Sequence, residues 1–372
     1  MSVKIIIFLQ ILAIQSKILL LLQYRITFYE VIAMMKSTLT IKDIARELNV
    51  SPSTVSRALQ GHPGISKETS ERIQQYAREH HFKPNQLAAE LRSRNSRIIG
   101  IIIPEFTNHF FAKVLSGIES AASNAGYRIM VAQSNDDYER EEQITRSFLE
   151  ARVSGVITSL GKHTTNHEHY QVLINQNIPV VFYDRISTDL PTDRVVVDDY
   201  AGAFAAVEYM ISTGCRNIYF YSSPPHLEIT KNRRNGYLDA MHKHGFQVTP
   251  DMMPLCDNRQ DAIQLTQEIL KQPHRPDGFF AVNDMTAAGI LFACKHAGIN
   301  VPQEISICGF SGDAISETTD PLLTTVEQNG IEVGQCAFQL LHHRLLGQEH
   351  PGKMVVKTKL LLRGTTKTIE KL

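Results

Sequence analysis

Residues 51 to 57 read Ser-Pro-Ser-Thr-Val-Ser-Arg. Four hydroxyls beside one forked guanidinium, at the start of and along a single short helix, form a set suited to a DNA major groove. A guanidinium can meet both acceptors of a guanine edge, and small hydroxyls can reach phosphate oxygens. Ser53, Thr54 and Arg57 point to that chemistry, with Arg57 the candidate for the bidentate base contact and Ser51 and Ser56 candidates for phosphate contact or capping. A solvated surface cation is the plain alternative for Arg57. No Gly-x-Ser-x-Gly elbow, phosphate-binding Gly-x-x-x-x-Gly-Lys loop or Gly-x-Gly-x-x-Gly turn occurs, so nothing points to an enzyme.

The elements that must carry those groups are legible around them. Thr40 followed by Asp43 has the form of a capping box, and Ser51 before Pro52 places a cap ahead of a proline at the first helical position. Ile41, Ile44, Ala45 and Leu48 form one apolar stripe, and Val55 with Leu59 forms a second. Helices this short do not persist alone. A third helix over Lys67–His80, capped by Ser66, supplies the partner surface through Ile73 and Tyr76. The pattern predicts a helix-turn-helix headpiece over residues 36–81. A linker follows over 82–97, where Pro84 breaks the preceding helix and Asn85 caps a short one over Gln86–Arg92.

Charge supports this division. Formal net charge is +0, yet Lys36 to Arg97 carries 11 Lys and Arg against 6 Asp and Glu. A basic segment on a neutral body suits a nucleic-acid partner. The five cysteines are widely spaced and odd in number, which reads as reduced core thiols in a cytoplasmic protein. The cluster His163, His167, His169 falls in an expected loop without the supporting groups of a metal site, so no metal and no cofactor is expected. Residues 1–35 are strongly apolar from Ile5 to Leu22 but hold Lys17 in mid-span. They read as an over-extended start ahead of Met34 or Met35, with no membrane expected; a membrane-anchored or exported sugar-binding protein is the alternative that would use them.

From Ile98 the pattern changes to apolar runs alternating with amphipathic helices. Strands are expected at Ile98–Ile103, Arg128–Ala132, Gly155–Ser159, Val180–Tyr183, Val195–Val197, Ile218–Tyr221, Gly278–Val282 and Ile305–Phe310. Helices are expected at 110–125, 138–152, 201–212, 233–244, 262–271 and 286–297. Such alternation means parallel sheets covered on both faces. Residues 98–364 are long enough for two doubly wound lobes, with 365–372 a tail.

Thr40 to Leu59, then Pro84–Leu91, then Ile99-Gly-Ile-Ile-Ile-Pro104 resemble the LacI/GalR family of bacterial transcription regulators. Phe182-Tyr-Asp-Arg185, Val196-Val-Asp-Asp199, Arg233-x-x-Gly-Tyr237, Ala281-Val-Asn-Asp284, Gly309-Phe-Ser311 and Pro321–Val326 extend the resemblance to about Gly364. It implies an α/β core of two periplasmic-binding-protein-like lobes behind the all-α headpiece, working as a homodimer on a pseudo-palindromic double-stranded operator. It also implies base reading from the positions of Pro52, Ser53 and Arg57, with Thr40, Ser51, Thr54 and Ser56 nearby on the DNA side. Leu91 falls at the position of a hinge leucine that wedges into the minor groove, next to small Ala88 and with Asn85 at the hinge start. Glu90 departs from the common hinge pattern by setting an acid near phosphates. The tail has no heptads, so dimers rather than tetramers are expected, through the helices near Phe111–Ser120 and Thr286–Cys294.

The same resemblance implies a small-molecule effector between the lobes, at the carboxyl ends of the strands. A sugar site needs aromatic faces and paired polar groups. Phe110 and Phe111, Asp184 and Arg185, Arg233 and Asp284 stand at such positions, and those of Phe111, Arg233 and Asp284 commonly touch effector in the family. Plain alternatives exist: one phenylalanine as core, Asp284 as a helix cap, and Arg185 as an inter-lobe ion pair. Asp198 and Asp199 read as caps. Leu227, Glu228 and Ile229 replace groups that are polar or cationic in purine-binding members, which favours a carbohydrate. The expected function is a ligand-controlled DNA-binding repressor.

Overall fold

The computed structural model describes residues 39–59, 61–80, 82 and 96–368. The apolar extension and nearly the whole linker, including Asn85, Ala88 and Leu91, lie outside the described residues. The chain divides into two compact units, Met1–Arg94 and Asn95–Leu372, each considered by itself.

In the first unit three helices meet around one small core: α1 (Ile41–Glu47), α2 (Pro52–Leu59) and α3 (Lys67–Glu79). Ile44, Ala45, Val55, Ala58 and Ile73 are buried together, one to two residues from each helix. Thr40 and Asp43 form the expected capping box, and the Ser51 hydroxyl accepts from the Thr54 amide at 3.1 Å. The third helix also satisfies orphan carbonyls of the other two. Arg72 donates to the Leu48 carbonyl at 2.9 Å and Gln74 to that of Ala58 at 3.2 Å. Side chains thus do at these short helix ends what a longer backbone ladder would do elsewhere.

The second unit begins with β1 (Ile98–Ile103), α4 (His109–Asn124), β2 (Arg128–Gln133), α5 (Tyr138–Glu150) and β3 (Gly155–Thr158). It continues through α6 (Glu168–Asn175), β4 (Val180–Tyr183), β5 (Asp193–Val197), α7 (Asp199–Ser212), β6 (Ile218–Tyr221) and α8 (Glu228–Lys243). Then come α9 (Arg259–Ile269), β7 (Gly278–Ala281), α10 (Asp284–His296), β8 (Ser306–Ser311) and β9 (Thr324–Glu327). The last elements are α11 (Gly330–Leu345), β10 (Lys353–Val356) and β11 (Lys359–Leu361). One sheet has the order β10-β5-β4-β3-β1-β2, all parallel; the other runs β11-β9-β8-β7-β6, with only β11 antiparallel. Most strands are buried along their length because helices cover both faces, which is why they read as continuous apolar runs.

Within residues 98–364 each expected strand and helix is present, within about five residues at its ends, while the short helix expected over Gln86–Arg92 lies outside the described residues. Five elements went unassigned in the sequence: α6, β9, α11, β10 and β11. The helix α11 contains Gly330 and Gly334, which weaken its helical signature, and β10 is an edge strand with Lys353 and Val355 exposed. Together these late elements carry the chain back into the first lobe through α11 and β10, and then into the second through β11.

The glycines in α11 have a packing purpose. A Cβ on Gly334 would fall on the Val114 carbonyl oxygen of α4, and one on Gly117 of α4 would fall on the Ile331 carbonyl. The two helices therefore approach backbone to backbone. Gly334→Ala is expected to lower stability by roughly 1–3 kcal/mol, as overpacked cores do. Urea unfolding followed by circular dichroism checks this; an unchanged midpoint contradicts the close crossing.

Candidate functional site

The headpiece presents one polar face on α2. Pro52, Ser53 and Arg57 are exposed, Thr54 and Ser56 are half-buried, and Val55 and Ala58 turn into the core. Ser51 has its hydroxyl within 2.7 Å of Ser53 and 2.8 Å of Thr54, so this cap also orients the first-turn hydroxyls. Thr40 is exposed but committed to Asp43, whose carboxylate it meets at 2.6 Å. Arg57 is exposed and has no ion pair among the described residues.

In the core, loops at the carboxyl ends of both sheets enclose a cleft of about 460 Å³. Five of the six expected ligand residues line it: Phe110, Phe111, Asp184, Arg185 and Arg233. The two phenylalanines open α4, whose start is fixed by the Asn108 side chain accepting from both of their amides. Their rings meet edge to face at 5.5 Å, and both are buried, so each serves core and cleft wall together. Asp184 takes a left-handed backbone (φ 58°), a conformation Asp tolerates. Ser311, also on the wall, has φ 129° ahead of Gly312 at 68°, a strained corner where Gly312 lets Glu327 approach.

Charged groups on the wall are wired in pairs. Arg185 donates to Asp136 at 2.5 Å and to the Leu160 carbonyl, and its guanidinium faces the Phe111 ring. That pair lies within the first lobe, which corrects the inter-lobe alternative for Arg185. Arg233 donates to Asp199 at 2.8 Å and to the Val282 carbonyl at 2.6 Å, with its guanidinium 3.8 Å over the Phe310 ring. Asp199 is therefore an anchor for Arg233, and only Asp198 caps the helix, accepting from Ala201. The inter-lobe contacts are made instead by Lys162, bridged to Asp257 at 3.0 Å, with its carbonyl facing His226 at 2.8 Å. Lys113 adds a second tie to the Gly312 carbonyl at 3.0 Å.

Asp284 is placed differently from the expectation. It does not line the cleft. Its carboxylate is buried beneath the wall, accepting from the Thr325 hydroxyl at 2.5 Å and the Asp313 amide at 2.7 Å, and fills the space left by Gly309. Nor does it cap α10; Asn283 does, accepting from Thr286 at 2.8 Å. Its neighbour Asp313 faces the cleft in its stead. Asp313, Gln328, Asp136 and Lys162 escaped sequence reading because each sits in a loop with no periodic or motif signal. Among the described residues three buried polar atoms on the wall have no hydrogen-bond partner: Arg185 Nε, Asp313 Oδ1 and Gln328 Nε2. Leaving such groups unpaired is costly, and a polar ligand would satisfy them.

Away from the cleft, His169 lies on α6 rather than in a loop, buried against Glu141 at 3.2 Å. Among the described residues no three His, Cys, Asp or Glu side chains gather as a metal set.

Burial sets the protonation of the cleft acids. It raises Asp184 and Asp313, pushes Asp199 up to about 6 against the pull of Arg233, and pushes Asp284 up to about 7. Asp284 loses its proton near 3.8 in the unfolded chain but near 7 in the folded one. The folded state therefore binds the extra proton between those values, and its contribution to stability falls as pH rises from about 4 to about 7. Asp284→Asn is expected to flatten this fall. Melting temperatures of both proteins from pH 5 to 8 check it, and parallel curves contradict it.

Residues 40–85 match the model for bacterial regulatory proteins of the lacI family, and residues 207–366 match that for a periplasmic binding protein-like domain. The chain is 29% identical over 332 residues to the HTH-type transcriptional repressor CytR of Escherichia coli K12, covering 89% of this chain and 97% of that one. It is 31% identical over 304 residues to the ribose operon repressor of Bacillus subtilis 168, covering 81% and 90%. A solved periplasmic binding protein/LacI transcriptional regulator from Alkaliphilus metalliredigens, complexed with D-xylulofuranose, superposes with a TM-score of 0.65 at 28% identity, covering 73% and 100%. With a helix-turn-helix headpiece ahead of a two-lobed ligand-binding core, the chain belongs to the lacI family of bacterial regulatory proteins and is a DNA-binding transcription regulator.

Proposed function

We propose that this regulator is a cytoplasmic homodimeric repressor whose affinity for a pseudo-palindromic operator is set by a small carbohydrate bound between the core lobes. The observation that carries the reading is the cleft itself. Two buried aromatic rings, fixed guanidiniums and three unpartnered polar atoms face one space of about 460 Å³. Rings take the apolar faces of a sugar, and the polar atoms take its hydroxyls. A relative named for the ribose operon and a similar regulator bound to a furanose support that ligand class. Effector would act by shifting the closure of the lobes, which the Lys162–Asp257 and Lys113–Gly312 ties already favour.

Arg57 reads a guanine in this account, with Ser53 and Pro52 against neighbouring bases and Ser51, Thr54 and Ser56 toward phosphates. Leu91 wedges the minor groove from a hinge helix begun by Asn85, with Ala88 allowing two such helices to pack. The dimer forms through α4 and α10, the second of which exposes Phe292. No described helix is long and apolar enough to cross a membrane.

Two substitutions test the DNA side. Arg57→Ala is expected to weaken operator binding by about 1–3 kcal/mol and to relax base preference at one position of each half-site. Leu91→Ala is expected to weaken it while leaving non-specific binding little changed, because a wedge acts by bending the duplex. Fluorescence-anisotropy titrations with operator and scrambled duplexes measure both, and unchanged operator affinity for Leu91→Ala contradicts the wedge. On the ligand side, ribose and other neutral pentoses and hexoses are titrated against the full chain by calorimetry. Binding that Phe111→Ala abolishes is the expected result, whereas binding indifferent to Phe111 rejects the cleft as its site.

A further inference from the structure

The cations around the cleft are engaged before any ligand arrives. Lys162 sits 3.0 Å from the Asp257 carboxylate, Arg185 2.5 Å from that of Asp136, and Arg233 2.8 Å from that of Asp199. Arg185 and Arg233 spend further donors on the Leu160 and Val282 carbonyls and lie against the Phe111 and Phe310 rings. Among the described residues Arg259 alone of the lining Lys and Arg has no carboxylate partner; it is exposed and stands over the Phe292 ring, 5.2 Å away. By contrast, Glu105, Asp184 and Asp313 line the same space without a Lys or Arg ion pair among the described residues. Asp313 Oδ1 has no hydrogen-bond partner among the described residues.

A phosphate or carboxylate entering this space would meet unpaired carboxylates and three cations already paired, with the exposed, water-solvated Arg259 left to receive it. To engage Lys162, Arg185 or Arg233 it would have to break a buried or half-buried pair, stranding a carboxylate in a poorly solvated site. A hydroxyl meets no such obstacle. It can donate to Asp313 or Asp184 and accept from Arg185 Nε or Gln328 Nε2, the atoms left without partners.

Building on the effector reading above, we infer that the cleft is selective for an uncharged polyhydroxyl ligand and rejects phosphorylated or carboxylated counterparts. The carboxylates of Asp257, Asp136 and Asp199 set this selectivity by holding the cleft cations. Asp257 and Asp136 are thus specificity-determining residues that act through Lys162 and Arg185.

The test uses inorganic phosphate as the probe and the full chain at constant ionic strength. Thermal stability is titrated with phosphate for the wild type, Lys162→Ala, Asp257→Asn and the double variant. Phosphate bound at the headpiece contributes equally to all four and cancels in the comparison. The inference expects the same response from wild type and Lys162→Ala. It expects apparent phosphate affinity at least tenfold higher in Asp257→Asn, and loss of that gain in the double variant. Asp136→Asn, which frees Arg185, provides a second gain-of-binding variant. A weaker response in Lys162→Ala than in wild type would mean that Lys162 already accepts anions and overturns the inference. So would the absence of any gain in both asparagine variants. Failure of the effector reading would look different: a sugar bound in the cleft with no change in operator affinity, whatever phosphate does.

Discussion

Parallel sheets buried on both faces can offer polar chemistry only at the ends of their strands. In this core the chain turns that constraint into a site by passing between the two sheets three times. It leaves the first lobe after β5, returns through α11 to lay down β10, and leaves again to form β11. The crossings keep the carboxyl ends of both sheets facing one cleft. The cleft groups then come from loops and helix starts that follow strands fixed in apolar layers: Phe110 and Phe111 after β1, Asp184 and Arg185 after β4, Arg233 after β6 and Asp313 after β8. The backbone crossing of α4 and α11, made possible by Gly117 and Gly334, ties the returning segment to the helix that presents both phenylalanines.

The cleft groups are coupled to one another before ligand binds. Arg233 is held by a carboxylate, a carbonyl and an aromatic ring at once. Asp284 supports the loop that presents Asp313. Prepaired charges of this kind restrict side-chain motion, so binding loses less conformational entropy than it would with free side chains. They also narrow what can bind, since an anion must compete with carboxylates already in place. Between the lobes, the Lys162–Asp257 and Lys113–Glu327 ties at the cleft are partly exposed.

Much of this was legible in the residues. The capping boxes and stripes of the headpiece follow local rules that short helices cannot escape, so Thr40, Ser51 and Ser66 marked their starts correctly. Central strands were legible because two covered faces demand unbroken apolar runs. The edge strands β10 and β11 were not, since one side faces solvent and their apolar signal is diluted. The glycine-bearing α11 was hidden because its glycines serve a partner helix rather than its own propensity. Within the cleft, residues set in motifs were found, and residues set only by tertiary geometry were missed. Asp199 looked like a cap because it opens a helix, yet its carboxylate turns to Arg233. Asp284 looked like a ligand group, yet it lies one layer too deep, and Asp313, just past the Gly309-Phe-Ser311 motif, takes the wall.

The central claim is that the cleft and the operator face are coupled. Linkage makes that claim reciprocal: if a sugar changes operator affinity by some factor, operator must change sugar affinity by the same factor. The most direct measurement is calorimetric titration of a cleft-binding sugar into the full chain, free and saturated with operator duplex. The account predicts that the two dissociation constants differ by about fivefold or more, the scale of ordinary allosteric coupling. It also predicts that the ratio equals the sugar-induced change in operator affinity. Identical sugar affinities in the two states would contradict it.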